Sequence, residues 1–158
     1  MDQIPRLNEM IRGIEIAMLT TVAKDGSLHS RPMATNEVDP DGTLWFFTRR
    51  DSAAAMESRA ECRANASYSD PARSLYVTVS GNARLVNDRK KMQDLWDPRL
   101  AAWFPKGTDD PEMRLLRVSM ERAEYWDFPS GALAVLASFA RKVVRGDEQG
   151  PATHERIV

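Results

Sequence analysis

The chain has a single cysteine, Cys62, and only two histidines, His29 and His154. One cysteine cannot close an intramolecular disulfide and suits a reducing compartment. In its short apolar-polar run, Cys62 reads as a small core residue. The histidines lie far apart in sequence, and HExxH, paired CxxC and Asp-rich calcium loops are all missing, so no metal site is expected. A Gly-x-Ser-x-Gly elbow, a Walker A loop and a Gly-x-Gly-x-x-Gly turn are missing as well. Any demanding chemistry would therefore rest on an organic cofactor.

Charge of one sign is also lacking. The formal net charge is -1, with 28% charged residues spread along the chain. That pattern excludes a polyelectrolyte partner, and no nucleic acid is expected. The longest apolar stretch, Ala132 to Ala137 with Phe139 and Ala140, is too short to span a bilayer, so no membrane is expected. The start, Met1-Asp2-Gln3-Ile4-Pro5-Arg6, lacks the order of a secretory signal. A cytoplasmic location follows as the expectation. At 158 residues the chain reads as one domain over 1–145 with a polar tail over 146–158.

What is present is a dense run of turn and strand signals. Ile4, Leu7, Met10 and Ile11 have helical spacing, ended by Gly13. Ile16 to Ala23 reads as a strand, Asp25-Gly26 as a hairpin turn, and Ser27 to Glu37 as the returning strand. Asp39-Pro40-Asp41-Gly42 turns the chain again into Thr43 to Thr48. Asp51 or Ser52 can cap a short alanine-rich helix. Cys62 to Tyr68 is a strand, and Leu75, Val77 and Val79 alternate with Tyr76, Thr78 and Ser80 in the next. Gly81 reads as a bulge in that strand, and Asp88 as the cap of a helix carrying Met92, Leu95 and Trp96. A Pro-rich excursion holds Trp103-Phe104, Met113 to Asp127 is a final strand, and Ala132 to Val144 a C-terminal helix. The sum is mainly β with flanking helices, a small antiparallel barrel.

Several segments together resemble the pyridoxamine phosphate oxidase-like superfamily of FMN-binding split barrels, in its short general-stress-protein branch. They are Arg31-Pro32-Met33, Leu44-Trp45-Phe46-Phe47-Thr48, Tyr76-Val77-Thr78-Val79-Ser80-Gly81, Leu95-Trp96-Asp97-Pro98, Trp103-Phe104-Pro105, Asp109-Asp110-Pro111 and Glu124-Tyr125-Trp126-Asp127. The resemblance implies an FMN-binding split β-barrel, antiparallel and dimeric, with flavin sites at the subunit interface. It also implies a flavin-dependent oxidoreductase, with a reduced nicotinamide as electron source. By that analogy Arg31 reaches the flavin or its phosphate, and Pro32, Met33 and Ala34 lay backbone along the ring. Phe47 and Thr48 line the opposite strand, Ser52 meets the phosphate, Tyr76 makes a polar contact, and Trp126 covers the cofactor. Trp96, Trp103 and Phe104 would wall a substrate face.

Each assignment has a structural competitor. Phe46 and Phe47 face opposite sides of one strand, so one of them belongs to the core. Trp96 sits on an apolar helical stripe, Trp103-Phe104 can anchor its loop, and Thr48 and Ser52 are equally good as caps. His29 shares a strand face with Arg31, and nothing in the sequence orients it. The family commonly places a phosphate-binding lysine two positions after the serine, where this chain has Ala54. Losing one such contact costs about 1.5–3 kcal/mol, or roughly ten- to a hundredfold in affinity. Arg49 and Arg50 stand ready to compensate. Deazaflavin, haem or no cofactor remain the alternatives to FMN, and a non-catalytic flavin-binding or cofactor-free dimeric interaction protein is the alternative function.

Overall fold

The computed structural model describes residues 3–128 and 153–157. Seven strands form one antiparallel sheet: β1 (Ile16–Val22), β2 (Leu28–Val38), β3 (Leu44–Arg49), β4 (Cys62–Asp70), β5 (Leu75–Val86), β6 (Met113–Asp127) and β7 (Thr153–Ile157). Their order is β3-β2-β1-β4-β5-β6-β7, and a further β3–β6 pairing closes the first six into a barrel. The sheet reaches from the first hairpin to the far end of the chain.

Two Asp-Gly turns set the first three strands. In each, an aspartate side chain accepts a backbone N–H two residues on, Asp25 from Ser27 and Asp41 from Thr43. Gly26 and Gly42 both sit at φ +84, where a side chain would be strained. The β2–β3 register shifts between Thr35 and Glu37, leaving Asn36 as a bulge.

Alternation along β1, β4 and β5 sends Ala17, Leu19, Ala64, Ala66, Val77 and Val79 into the barrel. Helix α1 (Ile4–Ile11) adds Leu7 and Ile11 to the same core. The hydroxyl of Tyr68, which would otherwise be an unpaired polar group in that core, bonds Thr35 at 2.7 Å.

Strand β3 is buried on both faces. Leu44 and Phe46 point into the barrel, while Trp45 and Phe47 point outward into a second apolar cluster. Met92 and Leu95 of the α3 region (helix Arg89–Asp94), Leu100 of a 3₁₀ turn (Pro98–Ala102) and Phe104 complete it. Both members of the Phe46-Phe47 pair are thus core, in different clusters. The predicted caps hold: Ser52 accepts from Ala55 N–H ahead of α2 (Ala53–Glu57), and Asp88 from Lys91 N–H ahead of α3.

Two expectations need correction. The bulge beside Gly81 lies on the facing strand: Ser80 pairs with Arg122 and Gly81 with Met120, so Glu121 of β6 is the extra residue. The end of the chain is not merely a polar tail. Thr153–Ile157 pair with β6, Ile157 is buried, and the Tyr125 hydroxyl donates to Glu155. His154 stacks on Trp126 with ring centroids 4.8 Å apart and hydrogen-bonds Glu124 at 3.1 Å. The expected helix over 132–144 lies outside the described residues.

Candidate functional site

On the outer face of the barrel the strand registers align side chains in rows. One row runs Glu124, Thr78, Ser67, Met18, Pro32, and the next Arg122, Ser80, Asn65, Thr20, Ser30. Most of these are small or hydroxyl-bearing, and they bond one another: Thr20 to Ser30 at 2.7 Å, Asn65 to Ser80 at 2.9 Å. A flat face results. At its β1–β2 edge Ile16 and Met18 are 52% and 45% exposed, beside the exposed Pro32 and Ala34. This apolar ledge has no long side chain on β2 to lift a flat ring off the strand.

Tyr76 and Trp126 pair across β5 and β6 at the opposite edge of the same face. Tyr76 meets Phe128 edge-to-face, and His154 covers one side of the Trp126 indole. Along this side of the barrel β6 and β2 are four strands apart by way of β5, β4 and β1, and through β3 they are two. Trp126 and the Pro32–Ala34 segment thus lie on the same outer face, separated along it by β5, β4 and β1.

Side chains of β2 alternate, so Arg31 and Met33 turn inward where Pro32 and Ala34 turn outward. Met33 packs against the barrel core. Arg31 lies against Thr21 and Glu57, its Nη2 3.3 Å from the carboxylate. Glu57, at the end of α2, also accepts from the Thr21 hydroxyl and bonds His29 Nδ1 at 2.6 Å. Glu57 therefore orients His29 from 28 residues away, a long-range contact with no local signal. Burial pushes the Glu57 carboxyl up, but the Thr21 and His29 hydrogen bonds and the Arg31 charge outweigh it and hold it below its ordinary 4.5.

A carboxyl depressed in the fold contributes stability above the ordinary carboxylate range and loses it as pH falls through the lowered folded value. Glu57→Gln is expected to cost about 1–3 kcal/mol at pH 7, since it strips a largely buried guanidinium of its counter-charge. Urea midpoints at pH 7 and pH 3 check this: the gap between the two proteins should narrow at the lower pH. A gap independent of pH would show that the charge does not matter.

Thr48 Oγ1 lies 2.7 Å from Ser52 Oγ, which also holds the α2 N-terminus. Ala54 is buried in the barrel core, whereas Ala53 is exposed. The position that the family gives to lysine is used here for packing. Ala54→Lys is expected to destabilise the fold by about 2–4 kcal/mol instead of restoring a phosphate contact. A thermal melt compared with Ala53→Lys tests this, and equal melting temperatures would contradict it. The accessible cations nearby in sequence are Arg49 and Arg50, in surface pairs with Asp51 at 3.5 Å and Glu112 at 2.7 Å.

The three substrate-face candidates separate. Phe104 is buried against Phe47 and is withdrawn from any ligand-facing role, and the Phe47 ring is itself core. Trp96 packs edge-on to Phe47 at 6.3 Å but also lines a cleft of about 410 Å³ with Trp103, Ile16 and Ala34. The cleft thus opens from the end of the apolar ledge. Among the described residues no group of side chains is arranged to hold a metal ion, and no helix is long and apolar enough to cross a membrane.

The sequence pattern of the family described as pyridoxamine 5'-phosphate oxidase like matches residues 2–150. The chain belongs to that family. Protein bli-3 of Neurospora crassa is 29% identical over 98% of this chain and 78% of its own length. The general stress FMN/FAD binding protein of Xanthomonas citri superposes with a TM-score of 0.70 at 29% identity, over 82% of this chain and 91% of that one. A Jannaschia protein assigned to the general stress protein 26 type superposes over 100% and 99% of the two chains, with a TM-score of 0.74 at 21% identity. The split-barrel architecture and the general-stress-protein likeness stand on these matches, and the closed six-stranded barrel agrees with them.

Proposed function

We propose that this protein binds FMN on the outer face of its barrel as a homodimer and acts as a cytoplasmic flavin-dependent oxidoreductase. The observation that carries the reading is the exposed ledge of Ile16, Met18, Pro32 and Ala34, which ends in the Trp96–Trp103 cleft. An exposed apolar strip of this kind marks a ligand or protein contact. The FMN/FAD binding described for the Xanthomonas citri relative supports the flavin as its occupant.

The homodimer is what the family resemblance implies, and the exposed ledge gives it a face through which to pair. In that pairing Trp126 of one protomer would cover the ring that Pro32 and Ala34 of the other support. Tyr76 lies beside it on the same edge. Bound FMN supplies the hydride and electron transfer, and the protein supplies orientation and a dry surface. Arg31, on the inner side of β2, spends two of its five N–H donors on Thr21 and Glu57, and any contact it makes is with a phosphate reaching round the strand edge and not with the ring on the outer face. Arg49 and Arg50 give up only weak surface pairs when they turn to a phosphate, with Thr48 and Ser52 as neutral partners. No acid or base is required of the chain, and none is assigned.

The visible spectrum tests the reading. Protein mixed with FMN and then desalted should keep a flavin band near ~450 nm, and anaerobic NADPH or NADH should bleach it. A colourless protein sinks the flavin assignment. A band that never bleaches favours the flavin-binding module without turnover.

A further inference from the structure

The cleft beside Ala34 has a chemical bias that the flavin reading does not use. It runs between the β2 bulge at Asn36 and the turn that follows α3, with a volume of about 410 Å³. Trp103 stands on its rim 67% exposed, an unusual position for a large aromatic. Four carboxylates line it, Glu15, Glu37, Asp94 and Asp97, against one guanidinium, Arg99. Arg99 is shared by Asp97 at 2.7 Å and Glu15 at 3.5 Å, and Lys90 reaches Asp94 at 3.3 Å. Glu37 has no cationic partner among the described residues. At the bulge, the Asn36 side-chain oxygen is buried with no hydrogen-bond partner.

Carboxylates alone would be a solvated surface. Here they surround a concavity with an open indole, the pairing that recognises flat cations through ring-face attraction and charge. An anionic ligand would meet the same carboxylates as repulsion. We propose that this cleft binds a flat, positively charged organic molecule, a protonated aromatic amine or amidine, with its ring on Trp103 and its charge toward Glu37. The proposal deepens the proposed function by naming the substrate class for that face, and it rests on that reading only for its link to flavin chemistry.

Three isosteric probes isolate the charge: benzamidine, benzamide and benzoate, titrated calorimetrically into the full chain with and without FMN. Benzamidine should bind about tenfold more tightly than benzamide, and benzoate should not bind. Glu37→Gln should weaken benzamidine about fivefold and leave benzamide unchanged, while Trp103→Ala should weaken both about tenfold. Both side chains are exposed, so melting temperatures should stay at the wild-type value. Equal affinity for benzamidine and benzamide, a preference for benzoate, or no benzamidine binding would each overturn the proposal. Benzamidine binding by a chain that takes up no FMN would uphold the cleft and sink the flavin reading. FMN uptake without benzamidine binding would do the reverse.

Discussion

Replacing Gly81 by alanine is expected to cost at least about 4 kcal/mol, near or beyond the limit of what a typical domain with ~5–15 kcal/mol of stability tolerates. Gly81 is buried on β5 and faces β6 where Glu121 bulges out of register. The bulge carries the β6 backbone inward, so that a Cβ on Gly81 would lie 1.8 Å from the Ser119 carbonyl oxygen and 2.9 Å from its carbon. Those are main-chain atoms held in the β5–β6 ladder, with no flexible end to swing away. Relief would require breaking pairs in the longest strand of the sheet, which connects β3, β5 and β7. Urea unfolding of Gly81→Ala should show a midpoint lowered by about 2 M or no folded baseline at all. A midpoint within error of wild type would mean that β6 can retreat freely.

Met18→Glu should have the largest effect on function while leaving the fold intact. The side chain is 45% exposed on the outer face, between Ser67 and Pro32 in register, so its loss opens no cavity. In the proposed dimer the two-fold axis places a copy of this residue on each side of the interface. Two unpaired carboxylates would then be buried, at a cost of several kcal/mol each. FMN affinity should fall by more than about a hundredfold, and the protein should run as a monomer with an unchanged melting temperature. Retained dimer and retained flavin would place the interface elsewhere.

The barrel was largely legible because its strands alternate and its hairpins carry Asp-Gly at the turn. Leu75, Val77 and Val79 against Tyr76, Thr78 and Ser80 announce one buried and one open face, and the structure keeps that division. Strand β7 was not legible. Thr153-His154-Glu155-Arg156-Ile157 offers one apolar residue, and its pairing comes from the exposed edge of β6 and the Tyr125–Glu155 bond. The second core cluster was hidden for the opposite reason: Leu44 to Phe47 are apolar throughout, so period alone could not say that both faces are covered.

In the proposed reading, the ring-facing half of the site was the part legible in the sequence. Pro32 and Ala34 are exposed on the outer face, and Ala34, Trp96 and Trp103 line one cleft. Its charged half was not, because charges there are set by contacts distant in sequence. Arg31 owes its environment to Glu57 and Thr21, and His29 owes its orientation to the same carboxylate. Gly81 shows the same limit within the fold. The glycine is visible in the sequence, but the bulge that demands it belongs to the neighbouring strand.

Sedimentation velocity recorded at the flavin band near ~450 nm tests most directly whether two chains build the cofactor site together. The account predicts that the flavin signal moves with a dimer, at one FMN per chain, and that dilution releases flavin and dissociates the dimer in parallel. Flavin sedimenting with a monomer, or a dimer that persists with no flavin signal at saturating FMN, would contradict it.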